Sequence, residues 1–428
     1  MRRDTPIKRK ETMINDYKTL IENYIFSKIS RVLKQPYKAI QYPFIDPGEG
    51  YEGNLWDWDS YFTARALLRL GKKYGESRMA AAGVPLKKAE AHAKGCALNF
   101  LSCECANGYV PVMMTGDGDF CDFFVREHLR GVKVNQMKPF LCQAILNACE
   151  FSGDFSWFDK EKALKYLEYY EANQRDEKTG LFFWQDDIMI GIDNNPTVFF
   201  RPPRTCADIY LNTFMALEYE ALQKVFAAAG DDRAADLKTR AEQLKSAINE
   251  YLWDERDGIY YSGDLSYHKT TLKAGNFTFH ENLAPTWKIM PMRVVFWGCF
   301  LPLYAGIADN EKAEKCIARL RDETVFSKYG IRTLASNEPM YNLEKTSNPS
   351  NWLGAIWGIS NYCVWKGLKR YGEEEIAKKL QKATVELYGK NLKKYGDFFE
   401  SYQPDSGEPN LNPGFLSWNL LIAEMLAE

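Results

Sequence analysis

Histidine is scarce in this chain of 428 residues, with only four, at His92, His128, His268 and His280. None stands in the HExxH spacing that puts two imidazoles on one helix face, so zinc-protease chemistry has no carrier. A Gly-x-Ser-x-Gly elbow, a Gly-x-Gly-x-x-Gly fingerprint and a phosphate loop are also missing, which leaves serine-hydrolase, dinucleotide and nucleoside-triphosphate chemistry without a motif. No excess of charge exists either: 55 Lys and Arg against 57 Asp and Glu give a net charge of -2. That balance supplies no attraction to nucleic acid or to an anionic membrane, and neither is expected as a partner. The longest apolar run, Val294 to Ala308, contains Pro302 and falls short of the roughly 20 residues a membrane span needs. It reads as a buried helix.

Met1 to Lys10 is basic and leads into Glu11 without an apolar core, so no secretory signal is visible. Ten cysteines are present, and Cys142, Cys149, Cys299, Cys316 and Cys363 sit in apolar helical patterns, where free thiols behave as small hydrophobes. Cys103 and Cys105 lack metal-finger spacing. The expectation is a reduced, cytoplasmic protein with no metal and no cofactor. What is abundant is aromatic surface, 14% of residues, including 11 Trp and 25 Tyr. Flat apolar rings suit ligands with flat C–H faces, as sugars have.

Amphipathic helical periodicity runs through about a dozen stretches: 17–33, 61–73, 87–101, 138–151, 161–174, 208–229, 233–251, 292–307, 311–321, 353–371, 373–388 and 414–426. Strand-like alternation is short and rare, at 180–184 and 258–261. No Ser/Gly-rich linker divides the chain. The simplest account is a single all-α domain over 1–428, with residues 1–13 a flexible basic tail. A dozen helices fit an (α/α)6 toroid, although an α-solenoid gives a similar helix pattern. In a toroid the loops at one end converge on a central pocket, and here those loops carry the aromatic and acidic clusters.

Four clusters carry chemistry. Asn54-Leu-Trp-Asp-Trp-Asp-Ser-Tyr-Phe62 interleaves Trp56 and Trp58 with Asp57 and Asp59; carboxylates accept from adjacent sugar hydroxyls while indoles cover the C–H face. Asp59 is alternatively a helix N-cap. Trp184-Gln-Asp-Asp-Ile-Met-Ile-Gly-Ile-Asp-Asn-Asn-Pro196 holds three Asp in a stiff loop, where a carboxyl close to apolar residues becomes a proton donor near neutral pH. Calcium binding and Asx-turn formation are alternatives for the same loop. Asp397-Phe-Phe-Glu-Ser-Tyr-Gln-Pro-Asp-Ser-Gly-Glu408 offers Glu400 among aromatics that include Tyr402, and Ser347-Asn-Pro-Ser-Asn-Trp-Leu-Gly-Ala-Ile-Trp357 brings Trp352 and Trp357 to a helix entry. Trp357 is equally a core residue. A smaller polar element, Asn135-Gln136-Met-Lys-Pro139, precedes another helix.

Together these segments resemble known glycosidases. Trp58-Asp-Ser-Tyr-Phe62 is similar to the same five residues of trehalases, glycoside hydrolase family 37. The whole set resembles glycoside hydrolase family 63, especially its short mannosylglycerate and glucosylglycerate hydrolases. Gly191-Ile-Asp-Asn-Asn-Pro196 is similar to the family's Gly-Met-Asp-Asn-Ser-Pro, which implies Asp193 as general acid. Phe399-Glu-Ser-Tyr-Gln-Pro-Asp-Ser-Gly-Glu408 resembles the family's Glu-Tyr-Phe-Asp-Pro-x-Thr-Gly-Glu and implies Glu400 as general base. Asn351-Trp-Leu-Gly-Ala-Ile-Trp357, Asn135-Gln-x-Lys-Pro139 and Phe415-Leu-Ser-Trp418 are similar to further family motifs in the same order.

The resemblance implies an (α/α)6 barrel that hydrolyses an α-glycosidic bond with inversion, its carboxyls roughly 6.5–9.5 Å apart to admit a water. The implied substrate is a small carbohydrate held by Trp56, Asp57, Trp58, Asp59, Gln136, Trp352, Trp357 and Tyr402. Arg201 and Arg204 either meet an anionic aglycone or pair with Asp208. Departures are local. The Arg that precedes Trp-Asp in trehalases and the second trehalase signature are missing, which disfavours trehalose, while Leu353 and Ser401 replace a family Arg and Tyr. Rival expectations are a non-catalytic sugar-binding barrel, or an epimerase or lyase on the same scaffold, which would rely on His or Tyr. Oligomeric state is open.

Overall fold

Two kinds of helix alternate along the chain. The computed structural model describes residues 6–267, 271–281, 287–344 and 350–427. Residues 1–5 of the basic tail, His268 and the Ser347-Asn-Pro opening of the fourth cluster lie outside the described residues. One set of helices, Pro6–Lys28, Leu86–Ser102, Lys160–Gln174, Ala234–Tyr251, Asn310–Arg319 and Glu374–Tyr395, carries a single buried stripe against an exposed polar face, the pattern of helices with one side to water. The other set is buried nearly all round: Asp57–Ala81 in its first half, Leu141–Ser152, Ile209–Ala228, the 3₁₀ turn Trp297–Phe300 running into Leu301–Ala305, Gly358–Arg370, and Ser417–Leu421 running into Ile422–Ala427.

Each segment of this second set packs on the next, and the last packs on the first. The amphipathic helices lie outside them; Leu86–Ser102 covers Asp57–Ala81, and Pro6–Lys28 pairs with Glu374–Tyr395. Close approach has sequence requirements. A Cβ on Gly95 would stand 1.9 Å from the Pro43 carbonyl oxygen, so only glycine lets that helix lie against the 43–45 segment. Helix Leu141–Ser152 has no cap of its own; the fully buried Glu218 carboxylate, from helix Ile209–Ala228, accepts from Cys142 N at 2.6 Å and Gln143 N at 3.4 Å. A charge on orphan N–H groups stabilises the helix start and ties two neighbours together.

Strands are short and cluster in the loops. Asn54–Trp56 pairs with Met113–Thr115, and Ile356–Trp357, Phe399–Tyr402 and Pro409–Pro413 form an antiparallel three-stranded sheet with Trp357 opposite Ser401. At 258–261 the strand Ile259–Tyr260 forms, whereas 180–184 contributes one bridge, Arg175 to Phe182. Helix Asp119–Leu129 was not expected from periodicity. The apolar run at 292–307 is not one helix: Pro302 sits in the first turn of Leu301–Ala305, where proline's missing N–H costs nothing, so it starts a helix rather than lying within one. The described cysteines are free thiols, most of them buried. Among the described residues no helix is long and apolar enough to cross a membrane.

Candidate functional site

Four of the six buried segments meet a cavity of about 350 Å³ at their N-terminal ends. Trp56 caps Asp57–Ala81, Lys138 precedes Leu141–Ser152, Trp357 caps Gly358–Arg370, and Trp418 lies in Ser417–Leu421; all four line the cavity. Its walls are indole. Trp352 stacks on Trp357 with centroids 3.9 Å apart and planes 9° from parallel, and Trp58 packs against Trp352 at 5.6 Å and Trp418 at 5.0 Å. Rings that brace one another hold their faces fixed for a ligand.

Four carboxyl residues line this cavity: Asp59, Asp187, Asp193 and Glu400. Glu400 stands on strand Phe399–Tyr402 and is 4% exposed. Asn412 Nδ2 donates to its Oε2 at 2.6 Å, and Tyr51 Oη donates to Oε2 at 3.2 Å and Oε1 at 3.3 Å. Burial pushes the Glu400 carboxyl up to about 7, against these two donors, with the charges of Asp59 and Asp193 adding to the rise. Asp59 is likewise pushed up to about 7 by burial, opposed by the Ser417 hydroxyl, which donates to its Oδ1 at 2.7 Å, and by Lys138. Asp59 is the third residue of its helix, not the N-cap; Trp56 holds the cap position.

Asp193 sits in a loop pinned by its two neighbours. Asn194 accepts from Trp352 N at 2.8 Å and donates to Asn351 Oδ1 at 3.0 Å, while Asn195 donates to Asp208 Oδ2 at 3.1 Å. Left-handed Met189 and Gly191 let the chain turn tightly ahead of Asp193. Asp186 earlier in the loop serves turn chemistry: it accepts from Ile188 N and from Asn135 Nδ2, both at 2.9 Å.

Of the residues singled out from sequence, Trp56, Trp58, Asp59, Asp193, Trp352, Trp357 and Glu400 come together at the cavity. Asp57 does not line it; it is fully buried and accepts from Trp58 N, Lys138 N and Lys138 Nζ. Gln136 is also fully buried, donating to the Tyr166 carbonyl at 3.3 Å. Tyr402 does not line the cavity; its ring packs on Tyr388 and its Oη accepts from Phe399 N at 2.8 Å. Arg201 pairs with Asp264 at 2.7 Å, and Arg204 is an exposed left-handed residue; neither lines the cavity or pairs with Asp208. Sequence reasoning passed over Tyr51, Lys138, Asn412 and Trp418. Lys138 and Trp418 stood within quoted motifs; Tyr51 and Asn412 had no local signal, being joined to Glu400 only by the fold.

Comparison with known proteins gives relatives and a family. Mannosylglycerate hydrolase MGH1 of Selaginella moellendorffii is 34% identical over 236 residues, 51% of this chain and 44% of that protein. Mannosylglycerate hydrolase of Rubrobacter radiotolerans is 25% identical over 211 residues, 48% of this chain and 40% of its own. The chain thus aligns with less than half the length of these curated relatives. Among solved structures, the family 63 mannosylglycerate hydrolase of Thermus thermophilus in complex with glucose superposes with a TM-score of 0.65 at 17% identity, covering 94% of this chain and all of that one. Neutral trehalase Nth1 of Saccharomyces cerevisiae gives 0.62 at 16% identity, covering 90% of this chain and 73% of its own. At these identities the structural likeness is one of fold. Residues 52–418, which hold every cavity-lining cluster from Trp56 to Trp418, match the mannosylglycerate hydrolase MGH1-like glycoside hydrolase domain, and the chain belongs to that family.

Proposed function

We propose that this chain is an inverting α-glycosidase acting on a small α-glucoside or α-mannoside, of the mannosylglycerate-hydrolase type. The observation that carries this is the meeting of Asp193, on a loop, and Glu400, on a strand far along the chain, in one cavity lined by five indoles. The closed succession of six buried segments inside amphipathic helices supports an (α/α)6 toroid formed by the chain as one catalytic domain. Free thiols support a cytoplasmic location.

In this reading Asp193 gives its proton to the departing glycosidic oxygen as the anomeric bond breaks. Glu400 takes a proton from a water that attacks the anomeric carbon from the opposite face, so the product sugar carries inverted configuration. Asn412 holds Oε2 of Glu400 at 2.6 Å, which favours Oε1, met only by Tyr51 at 3.3 Å, as the oxygen that receives the proton. A solved relative is described with Tris and D-glycerate bound, and small glycosides of glycerate head the substrates to try. Incubation with α-glucosides, α-mannosides, their glycerate conjugates and trehalose, followed by NMR of the anomeric proton from the first minutes, tests the proposal. Early β-anomer is the expected result. Early α-anomer overturns the roles of both carboxyls, and no cleavage of any substrate overturns the activity.

A further inference from the structure

Lys138 is the one cation lining the cavity among the described residues, and it is 2% exposed. Its ammonium is 2.7 Å from Asp57 Oδ1, 3.5 Å from the Met189 carbonyl oxygen and 5.6 Å from the centre of the Trp58 ring. An ammonium carries three N–H donors. Asp57 satisfies one, and Met189 accepts a second only weakly at that distance. The remaining hydrogen-bonding capacity lies in a cavity wall that also holds Asp59, an acceptor that feels the Lys138 charge.

The surroundings hold this lysine in place. Asp57 is fully buried with both oxygens engaged, Oδ1 by Trp58 N at 2.7 Å and by the ammonium, Oδ2 by Lys138 N at 2.8 Å. It serves as an anchor, not as a ligand to sugar. The Lys138 stem in turn lies under the loop that carries Asp193: a Cβ on Gly191 would stand 3.0 Å from Lys138 Cδ and 3.3 Å from the Trp58 ring. A cation over an indole, with a carboxylate beside it, presents a donor and an acceptor above an apolar face, which matches adjacent hydroxyls on a pyranose ring.

We propose that Lys138 is a specificity-determining residue of this site: its ammonium, anchored by Asp57, donates to one ring hydroxyl of the bound sugar while Asp59 accepts from that hydroxyl or its neighbour. This rests on the glycosidase reading of the cavity. The test uses the full chain and two variants, Lys138→Met and the charge-balanced pair Asp57→Asn with Lys138→Met, the second removing both buried charges so that neither is stranded. Binding of glucose, mannose and their 2-, 3-, 4- and 6-deoxy analogues is measured by calorimetry, alongside kcat and KM.

The wild-type chain is expected to penalise one deoxy analogue by about tenfold or more, and in both variants that penalty disappears while the others persist; kcat/KM falls about tenfold to a hundredfold, mostly through KM. Equal weakening toward every analogue marks a merely structural lysine and overturns the proposal, as does an unchanged profile. A wild-type chain that neither binds nor cleaves any of these sugars overturns the glycosidase reading itself, a result separable from failure of the Lys138 assignment alone.

Discussion

Replacing Glu400 by Gln should stabilise the protein above neutral pH and leave it unchanged in acid. Burial raises the Glu400 carboxyl from 4.5 to about 7. Between those values the folded chain holds a proton there that the unfolded chain has released, so wild-type stability falls as pH rises through this window. At about 1.4 kcal/mol per unit, the cost of the buried charge levels off above pH 7 on the order of 3 kcal/mol. Gln occupies the same space without ionising, and its side-chain oxygen still accepts from Asn412. Asp59, whose charge adds to the Glu400 rise, then loses a negative neighbour, which acts in the same direction. With 428 residues at about 2.1 cal/mol/K each, the unfolding entropy is about 0.9 kcal/mol/K, so Tm rises by about 3 °C. Calorimetric unfolding of both proteins at pH 4.5, 6, 7 and 8.5 measures this directly. Equal Tm differences at every pH, or a variant less stable at pH 8.5, would refute the assignment of Glu400 as a carboxylate ionised against its burial.

Three other outcomes are expected. Asp193→Asn and Glu400→Gln should each lower kcat by about 10²–10⁴-fold with native circular dichroism, and a rate close to wild type removes that residue from its role. Asn412→Ala deletes the 2.6 Å donor to Glu400 Oε2 and therefore raises the pKa of the base. The acid limb of the kcat/KM profile should move to higher pH, with recovery of activity in alkali; an unmoved limb shows that Glu400 is not the base it reports. Gly95→Ala drives a methyl into the Pro43 carbonyl and should cost about 1–3 kcal/mol or more, read as a lowered midpoint in urea; an unchanged midpoint means that the helix and the 43–45 segment are not held at this distance.

The site was legible wherever a residue's type and its immediate neighbours carried the chemistry. Trp56, Trp58 and Asp59 announce themselves as indole and carboxylate at a helix entry, Asp193 as a carboxyl in a stiff loop, and Glu400 as an acid among rings; all reach the cavity. Asp57 and Gln136 looked equally suitable and are buried off it. What distinguishes Asp57 from Asp59 is that Lys138, far along the chain, consumes both of its oxygens. Tyr402 packs on Tyr388, off the cavity. Arg201 was spent on Asp264.

That helices dominate the chain was determined by the sequence alone, because the 3.6-residue period is a local property. Local composition also set which loops hold acids and indoles. Only tertiary structure decided that those loops converge, that Asn412 and Tyr51 hold Glu400, and that Asp57 serves Lys138. Those outcomes depend on which buried polar groups find each other once water is excluded, and a buried donor or acceptor must be paired with whatever the fold brings near it. That pairing joins residues as far apart as Tyr51 and Glu400, 349 positions along the chain, and no local pattern encodes it.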